Sequence, residues 1–247
     1  KAINPIKNGA DLLLASNVFA HADDLKSMAE SMKKLIKPEG IIIIEVQYLL
    51  NTIKDLTFDN IYHEHTNYWS LFTLNKFLRD LDLFIFKVER INTHGGSIRV
   101  YIKKSKKVKI ENSVKKLIKE EEKFGIKNFN TYKKFGEKVY KIRENILKNF
   151  KKLKKNNKKI IGYGAPAKAT TALNFYGISD QIDFIVEDNS LKHNKFIPGV
   201  KIPIKSKKNL KNNNNTMVVL AWNFFTDIKK NNSNLSKNFI NIKELEN

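Results

Sequence analysis

Ile160-Ile161-Gly162-Tyr163-Gly164-Ala165-Pro166-Ala167-Lys168 decides the fold class. Two β-branched residues lead into a glycine loop, and Lys168 to Tyr176 continues with helical patterning. The chain then returns to an apolar run, Ile182 to Val186, which ends on Glu187-Asp188-Asn189. Strand, Gly-x-Gly loop, helix, strand and an acid about twenty residues on form the context of an open α/β sheet that takes ligands at its carboxyl edge. Such a loop can turn backbone N–H groups outward, and the following helix N-terminus adds positive potential. Gly162, Gly164 and Lys168 are therefore candidates for holding a diphosphate, although the same loop also serves plain strand–helix packing. Met217 to Ala221 is a further apolar strand, followed by Trp222-Asn223-Phe224.

The first half of the chain shares this architecture. Asp11 to Ser16 reads as a buried parallel strand whose carboxyl-end loop is Asn17-Val18-Phe19-Ala20-His21. Asp23 or Asp24 opens a helix to about Ile36, with Leu25, Met28, Met32 and Leu35 on one face. Pro38-Glu39-Gly40 breaks it, and Ile41 to Val46 is a second buried strand. Thr73 is expected to cap a helix through Leu81. Residues 83–90 and 97–103 read as strands joined by Asn92 to Gly96, whose paired glycines suit a tight turn or a close approach of backbone to ligand. Residues 112–155 read as two Lys-rich helices bridging the halves, and Asn212 to Asn215 as a low-complexity loop. The expected domains are 1–104, a helical bridge at 105–157, and 158–247.

At 247 residues and 41% hydrophobic content the chain can build two packed domains. With no cysteine it forms no disulfide and no Cys-ligated zinc, which suits a cytoplasmic location. No apolar stretch reaches membrane-spanning length, so no membrane partner is expected. A net charge of +21 invites a nucleic-acid reading. The charge is nearly all Lys, with only Arg79, Arg90, Arg99 and Arg143 as Arg. Specific nucleic-acid sites lean on Arg and stacking aromatics, so the Lys runs are read as solvated faces.

Proton-transfer groups are densest at Tyr62-His63-Glu64-His65. Imidazole titrates near neutral pH, and a neighbouring carboxylate can fix its tautomer. The residue four after His63 is Asn67, so the zincin spacing fails and no metal is expected. Acid–base chemistry is the sharper reading, and a hydrogen-bonded structural loop the plainer one. His21 lies where catalytic groups collect in open α/β sheets.

Together the stretches Asn17-Val18-x-x-His21-x-x-Asp24, Phe58-Asp59-x-Ile61-Tyr62-His63-Glu64-His65, Tyr68-x-Ser70-Leu71, Gly95-Gly96-Ser97-x-Arg99, Gly162-Tyr163-Gly164-Ala165-x-Ala167-Lys168 and Leu220-Ala221-Trp222-Asn223 resemble the S-adenosylmethionine-dependent sugar C-methyltransferases. The resemblance implies the second half of a Rossmann-like class I methyltransferase sheet, followed by a second Rossmann-like α/β domain. The family's cysteine-ligated zinc region and the glycine-rich half of its cofactor sheet have no counterpart here, so the chain reads as a fragment that transfers no methyl group alone. His65 then looks like the base that takes a proton from the carbon beside a ketone, with Glu64 orienting it. Tyr62 and His21 would hydrogen-bond substrate oxygens. Asn17 and Glu45 would lie on the S-adenosylmethionine side, and Asn223 would join the nucleotide-sugar site. The sequence departs from many relatives at Val46-Gln47-Tyr48, where they carry Phe-Pro-His on the cofactor side. A monomer is expected. The competing readings are a NAD(P)-dependent oxidoreductase built on the 160–190 fingerprint, and a non-catalytic sugar-nucleotide-binding module.

Overall fold

The computed structural model describes residues 9–155, 159–210 and 215–247. Lys1 to Asn8 and most of the asparagine run, Asn212 to Asn214, lie outside them. The chain forms two compact units. One comprises Lys1–Thr57 and His63–Lys133, the other Phe58–Tyr62 and Lys134–Asn247.

The first unit is built on a four-stranded sheet. Strand β1 (Ala10–Ser16) leads through helix α1 (Leu25–Leu35) to the parallel strand β2 (Ile36–Gln47). Asp24 rather than Asp23 starts α1, because its side chain accepts from Ser27 N at 2.9 Å. The helix ends before Pro38, and Pro38-Glu39-Gly40 already lies within β2, which begins five residues before the expected Ile41. Gly40 is needed there because a Cβ would lie 2.8 Å from the Ala10 carbonyl oxygen. Helix α2 (Leu49–Lys54) follows, then α3 (Leu71–Arg79) and the strands β3 (Phe84–Ile91) and β4 (Ser97–Lys103). The strand order is β1-β2-β4-β3, with β4 antiparallel to both neighbours.

Ile42, Ile44 and Val46 of β2 and Ile98, Val100 and Ile102 of β4 are buried, as are Leu74 and Leu78 of α3. Burial of this apolar area is the main favourable term in folding. β1 is parallel to β2, as its sequence reads, but it is not buried. It is the edge strand of the sheet, and Leu12 and Leu14 remain 59% and 61% exposed. The cap of α3 also differs from its sequence reading. Ser70 is the N-cap, accepting from Thr73 N at 3.1 Å, and Thr73 reciprocates by accepting from Ser70 N. The pair makes a capping box, which a single-residue reading assigned to the wrong member.

The segment expected as a helical bridge divides between the units. Helix α4 (Asn112–Phe124) packs on the first sheet, with Glu111 N donating to the Phe86 carbonyl and Ser113 Oγ accepting from Val88 N. Gly125 ends α4 in the left-handed region at φ 82°. Helix α5 (Phe129–Lys155) belongs to the second unit from Lys134 onward.

The second unit holds a five-stranded, wholly parallel sheet. Its elements are β5 (Ile160–Tyr163), α6 (Ala167–Tyr176), β6 (Phe184–Val186), β7 (Ile204–Lys205), β8 (Thr216–Val219), α7 (Phe225–Asn231) and β9 (Asn238–Asn241). The order β7-β6-β5-β8-β9 runs in opposite directions from β5, so a topological switch point lies between β5 and β8. Ile161, Tyr163, Val186, Met217, Val219 and Phe239 form the core on one face. β7 and β9 were not foreseen, being two and four residues long and mixed in polarity.

Candidate functional site

In the first unit the acid–base groups gather beyond the carboxyl end of β1. Asn17 leaves the strand at φ 54°, and its N–H donates to the Glu45 carbonyl at 3.1 Å. Asparagine tolerates this left-handed conformation better than most residues. The turn carries the chain to His21, whose N–H donates to the Val18 carbonyl at 3.1 Å. The His65 ring lies 5.0 Å from the His21 ring, centroid to centroid, at 55°. Two hydrogen bonds bring the later segment to this loop: Thr66 Oγ1 donates to the Ala20 carbonyl at 3.1 Å, and Asn67 Nδ2 to the Ala22 carbonyl at 3.5 Å. Two of the histidines singled out in the sequence are thus neighbours, half-buried His65 and exposed His21.

His63 and Glu64 turn outward. Their side chains are 83% and 55% exposed, and His63 Nε2 stands 3.9 Å from Glu64 Oε1. Among the described residues no cluster of His, Asp or Glu is arranged to hold a metal ion.

Glu45 is buried and committed to the sheet. Ser16 Oγ donates to its Oε1 at 2.6 Å, while Arg99 Nε and Nη2 donate to its Oε2 at 3.2 and 2.9 Å. It supports Asn17 through the backbone bond already described, so its carboxylate is a scaffold rather than an open ligand. Tyr48, expected on the cofactor side, is fully buried instead. Its hydroxyl donates to Glu121 Oε1 at 2.8 Å, and the Arg90 guanidinium lies over its ring at 5.3 Å. Burial and the adjacent Glu121 carboxylate push the Tyr48 phenol far above its usual range.

Glu121 went unremarked in the sequence, one acid among many on a Lys-rich helix. Its side chain reaches the start of α3, where Leu71 N donates to Oε1 at 2.6 Å and Phe72 N to Oε2 at 2.9 Å. The first N–H groups of a helix lack intrahelical partners, and a carboxylate there is favoured by the helix dipole. Glu121 thereby fixes the exit of the acid–base run.

In the second unit the switch point brings the glycine loop against the loop after β8. Gly162 lies inside β5, paired with Ile185 and Val218, and a Cβ there would meet Ile185 Cγ1 at 2.7 Å. Gly164 adopts φ 87°, and a Cβ would meet Ala221 Cβ at 2.9 Å. Both glycines are thus explained by packing and turn geometry. The loop's donors are also engaged: Gly164 N donates to the Val186 carbonyl at 2.8 Å and Ala165 N to Glu187 Oε2 at 2.7 Å. A carboxylate of the chain itself occupies the place expected for a phosphate oxygen. Lys192 Nζ donates to the Ala165 carbonyl and stands 3.9 Å from the same carboxylate. Asp188 is engaged too, accepting from Tyr163 OH at 2.8 Å and facing Lys207 Nζ at 3.0 Å.

The loop after β8 carries exposed side chains at the switch point. Asn223 is exposed there, beside Phe224. Lys168, in the first turn of α6, does not face outward. Its Nζ is buried over the Trp222 ring at 4.7 Å, and burial lowers its pKa while the Asp59 charge opposes that shift. Trp222 Nε1 donates to Asp59 Oδ2 at 2.6 Å. Asp59 and Trp222 stand in the motifs quoted above, yet no sequence pattern announces that they pair, since 163 positions separate them.

The comparisons with known proteins bear on the family. The family described as C-methyltransferase C-terminal domain matches residues 92–241. The C-methyltransferase NovU of Streptomyces niveus is 30% identical over 232 residues, covering 93% of this chain and 55% of that protein. The chain thus spans about half the length of this curated relative. The complex between the Trm112 methyltransferase activator of Haloferax volcanii and a methyltransferase has a chain that aligns at TM-score 0.33 and 17% identity, over 38% of this chain and 54% of that one. A likeness that slight adds nothing to the argument. The family match covers more than half the sequence, and with it the glycine loop and the Trp222 loop: the chain belongs to the C-methyltransferase family.

Proposed function

We propose that the full-length protein is an S-adenosylmethionine-dependent C-methyltransferase acting on the carbon beside the ketone of a nucleotide-linked keto-deoxysugar. One observation carries the reading: His65, from the acid–base run, lies 5.0 Å from His21 at the carboxyl end of β1. The order β1-β2-β4-β3 with antiparallel β4 suits the second half of a class I methyltransferase sheet. The cofactor, when bound, supplies an electrophilic methyl group for the carbanion to take up. Asn17 would hold it, with exposed Val18 beside it, because an amide next to apolar surface suits a polar cofactor with an adenine ring.

The remaining chemistry falls to side chains of this chain. His65, half-buried and next to a second imidazole, removes the α-proton. That proton is acidic enough only if the developing enolate oxygen is stabilised. Tyr62 and His21 supply that stabilisation by hydrogen bonding. Asn223 contacts the nucleotide-sugar at the switch point. The glycine loop contributes shape more than phosphate contacts, since Ala165 N already serves Glu187.

Titration of the full-length protein with S-adenosylmethionine and separately with NAD tests the cofactor class. Saturable binding of S-adenosylmethionine alone is expected. NAD requires an open acid after β6 for its ribose, and Glu187 and Asp188 are engaged internally. Saturable NAD binding with none for S-adenosylmethionine overturns the reading.

A further inference from the structure

Tyr62 is presented by a clamp that belongs wholly to the second unit. Phe58 places its ring 5.0 Å from Phe175 and 5.7 Å from Tyr176, both on α6. Asp59 is 3% exposed and takes the Trp222 indole N–H on Oδ2 at 2.6 Å. Among the described residues its Oδ1 has no hydrogen-bond partner, and neither has the buried Lys168 Nζ. The indole is gripped by cations: Lys168 at 4.7 Å and Lys243 at 5.4 Å, the latter also paired with Glu246 at 2.9 Å. Ile61 N donates to the Phe58 carbonyl at 2.9 Å, so the turn carrying this clamp is closed immediately before Tyr62.

A buried carboxylate loaded in this way resists reorientation. Turning it breaks a short charge-assisted bond and leaves the charge without a donor. Fixing Asp59 therefore fixes the backbone that delivers Tyr62, three residues on.

We propose that Asp59 and Trp222, with Lys168 against the indole, are positioning residues that set the Tyr62 phenol for the reaction. The inference rests on the proposed function for what Tyr62 does, and on the contacts of Phe58, Asp59 and Trp222 for how it is held. None of the three needs to touch the substrate. Within the second unit they link the loop after β8 and the first turn of α6 to the turn that carries Tyr62 through short, buried contacts.

The test uses the full-length protein with 3-fluorotyrosine at position 62, read by fluorine NMR, melting temperature and steady-state kinetics. Trp222→Phe removes the donor and leaves Asp59 buried. Asp59→Leu combined with Trp222→Phe removes both polar groups, and Asp59→Asn keeps an acceptor for the indole. Trp222→Phe is expected to shift and broaden the fluorine line and to lower kcat by about a hundredfold with KM little changed, as for a catalytic group displaced by about 1 Å. The double variant is expected to recover the melting temperature but neither kcat nor the fluorine line. Asp59→Asn retains most of both. An unchanged fluorine line in Trp222→Phe overturns the proposal, as does recovery of kcat together with melting temperature in the double variant. If the wild type turns over no nucleotide-linked keto sugar, the proposed function falls, while the fluorine line still decides whether the clamp holds Tyr62.

Discussion

His65→Asn in the full-length protein is expected to slow exchange of the sugar's α-proton with solvent by about a thousandfold, the ordinary worth of a positioned base. Deuterium incorporation into the nucleotide-linked keto sugar, followed by NMR, measures it. S-adenosylmethionine affinity should stay within about twofold, because the substitution leaves Asn17 and the Glu45–Arg99 scaffold in place. His21→Asn should slow exchange less, since it removes a stabilising hydrogen bond and not the base. If exchange continues undiminished in His65→Asn, His65 loses the role of base, and the 5.0 Å approach of the two rings is packing alone.

Glu121→Ala is expected to destabilise the first unit by about 4 kcal/mol, because it strands three donors at once and each buried orphan costs about 1–3 kcal/mol. Leu71 N, Phe72 N and Tyr48 OH all lose their acceptor, and Glu121 itself is 0% exposed. Thermal and denaturant unfolding of the chain, with the transition of the first unit resolved, measures the loss. A cost under about 1 kcal/mol contradicts the account, being the range of an exposed ion pair.

The same residue sets a pH dependence. Burial raises the Glu121 pKa, with the bonds from Phe72, Leu71 and Tyr48 and the Arg90 charge opposing in part. A carboxyl whose folded pKa lies above its unfolded value contributes stability that is full below the unfolded pKa and is lost as pH rises through the folded one. Glu121→Gln should therefore flatten the decline in stability above the ordinary carboxylate range. Glu246 in the second unit is raised by burial as well, so the two declines add in the whole chain.

The fold was legible where periodicity and punctuation were strong. The strand at Ile160-Ile161 and the helix to Tyr176 lie where the sequence places them, but the strand runs on through Gly162 and Tyr163, which the sequence reading gives to the glycine loop. The antiparallel pair around Gly95-Gly96 lies where the sequence places it, and the reason for the second glycine is local: a Cβ on Gly96 would sit 2.8 Å from Asn51 Cγ. β1 misleads because an apolar run carries the same signal whether or not a neighbouring strand covers it. Leu12 and Leu14 are the cost of that ambiguity. β7, with two residues, is too short to leave a pattern at all.

The site was legible as a set of residue types and not as a set of contacts. The approach of His21 to His65 follows from bonds of Thr66 and Asn67 to backbone carbonyls, which no spacing rule encodes. The glycine loop shows the converse. Its sequence promises donors for a phosphate, yet Glu187, one of the acids that end the next strand, takes Ala165 N instead. Glu121 and the Asp59–Trp222 bond were invisible because each depends on burial and on a partner far along the chain.

The most direct test of the central claim is transfer of label from methyl-labelled S-adenosylmethionine to a nucleotide-linked 4-keto-deoxyhexose by the full-length protein, with the product analysed by NMR. The account predicts one labelled methyl group on the carbon beside the ketone, formed with loss of that carbon's proton and abolished in His65→Asn. A methyl group found on oxygen or nitrogen, or full labelling in His65→Asn, contradicts it.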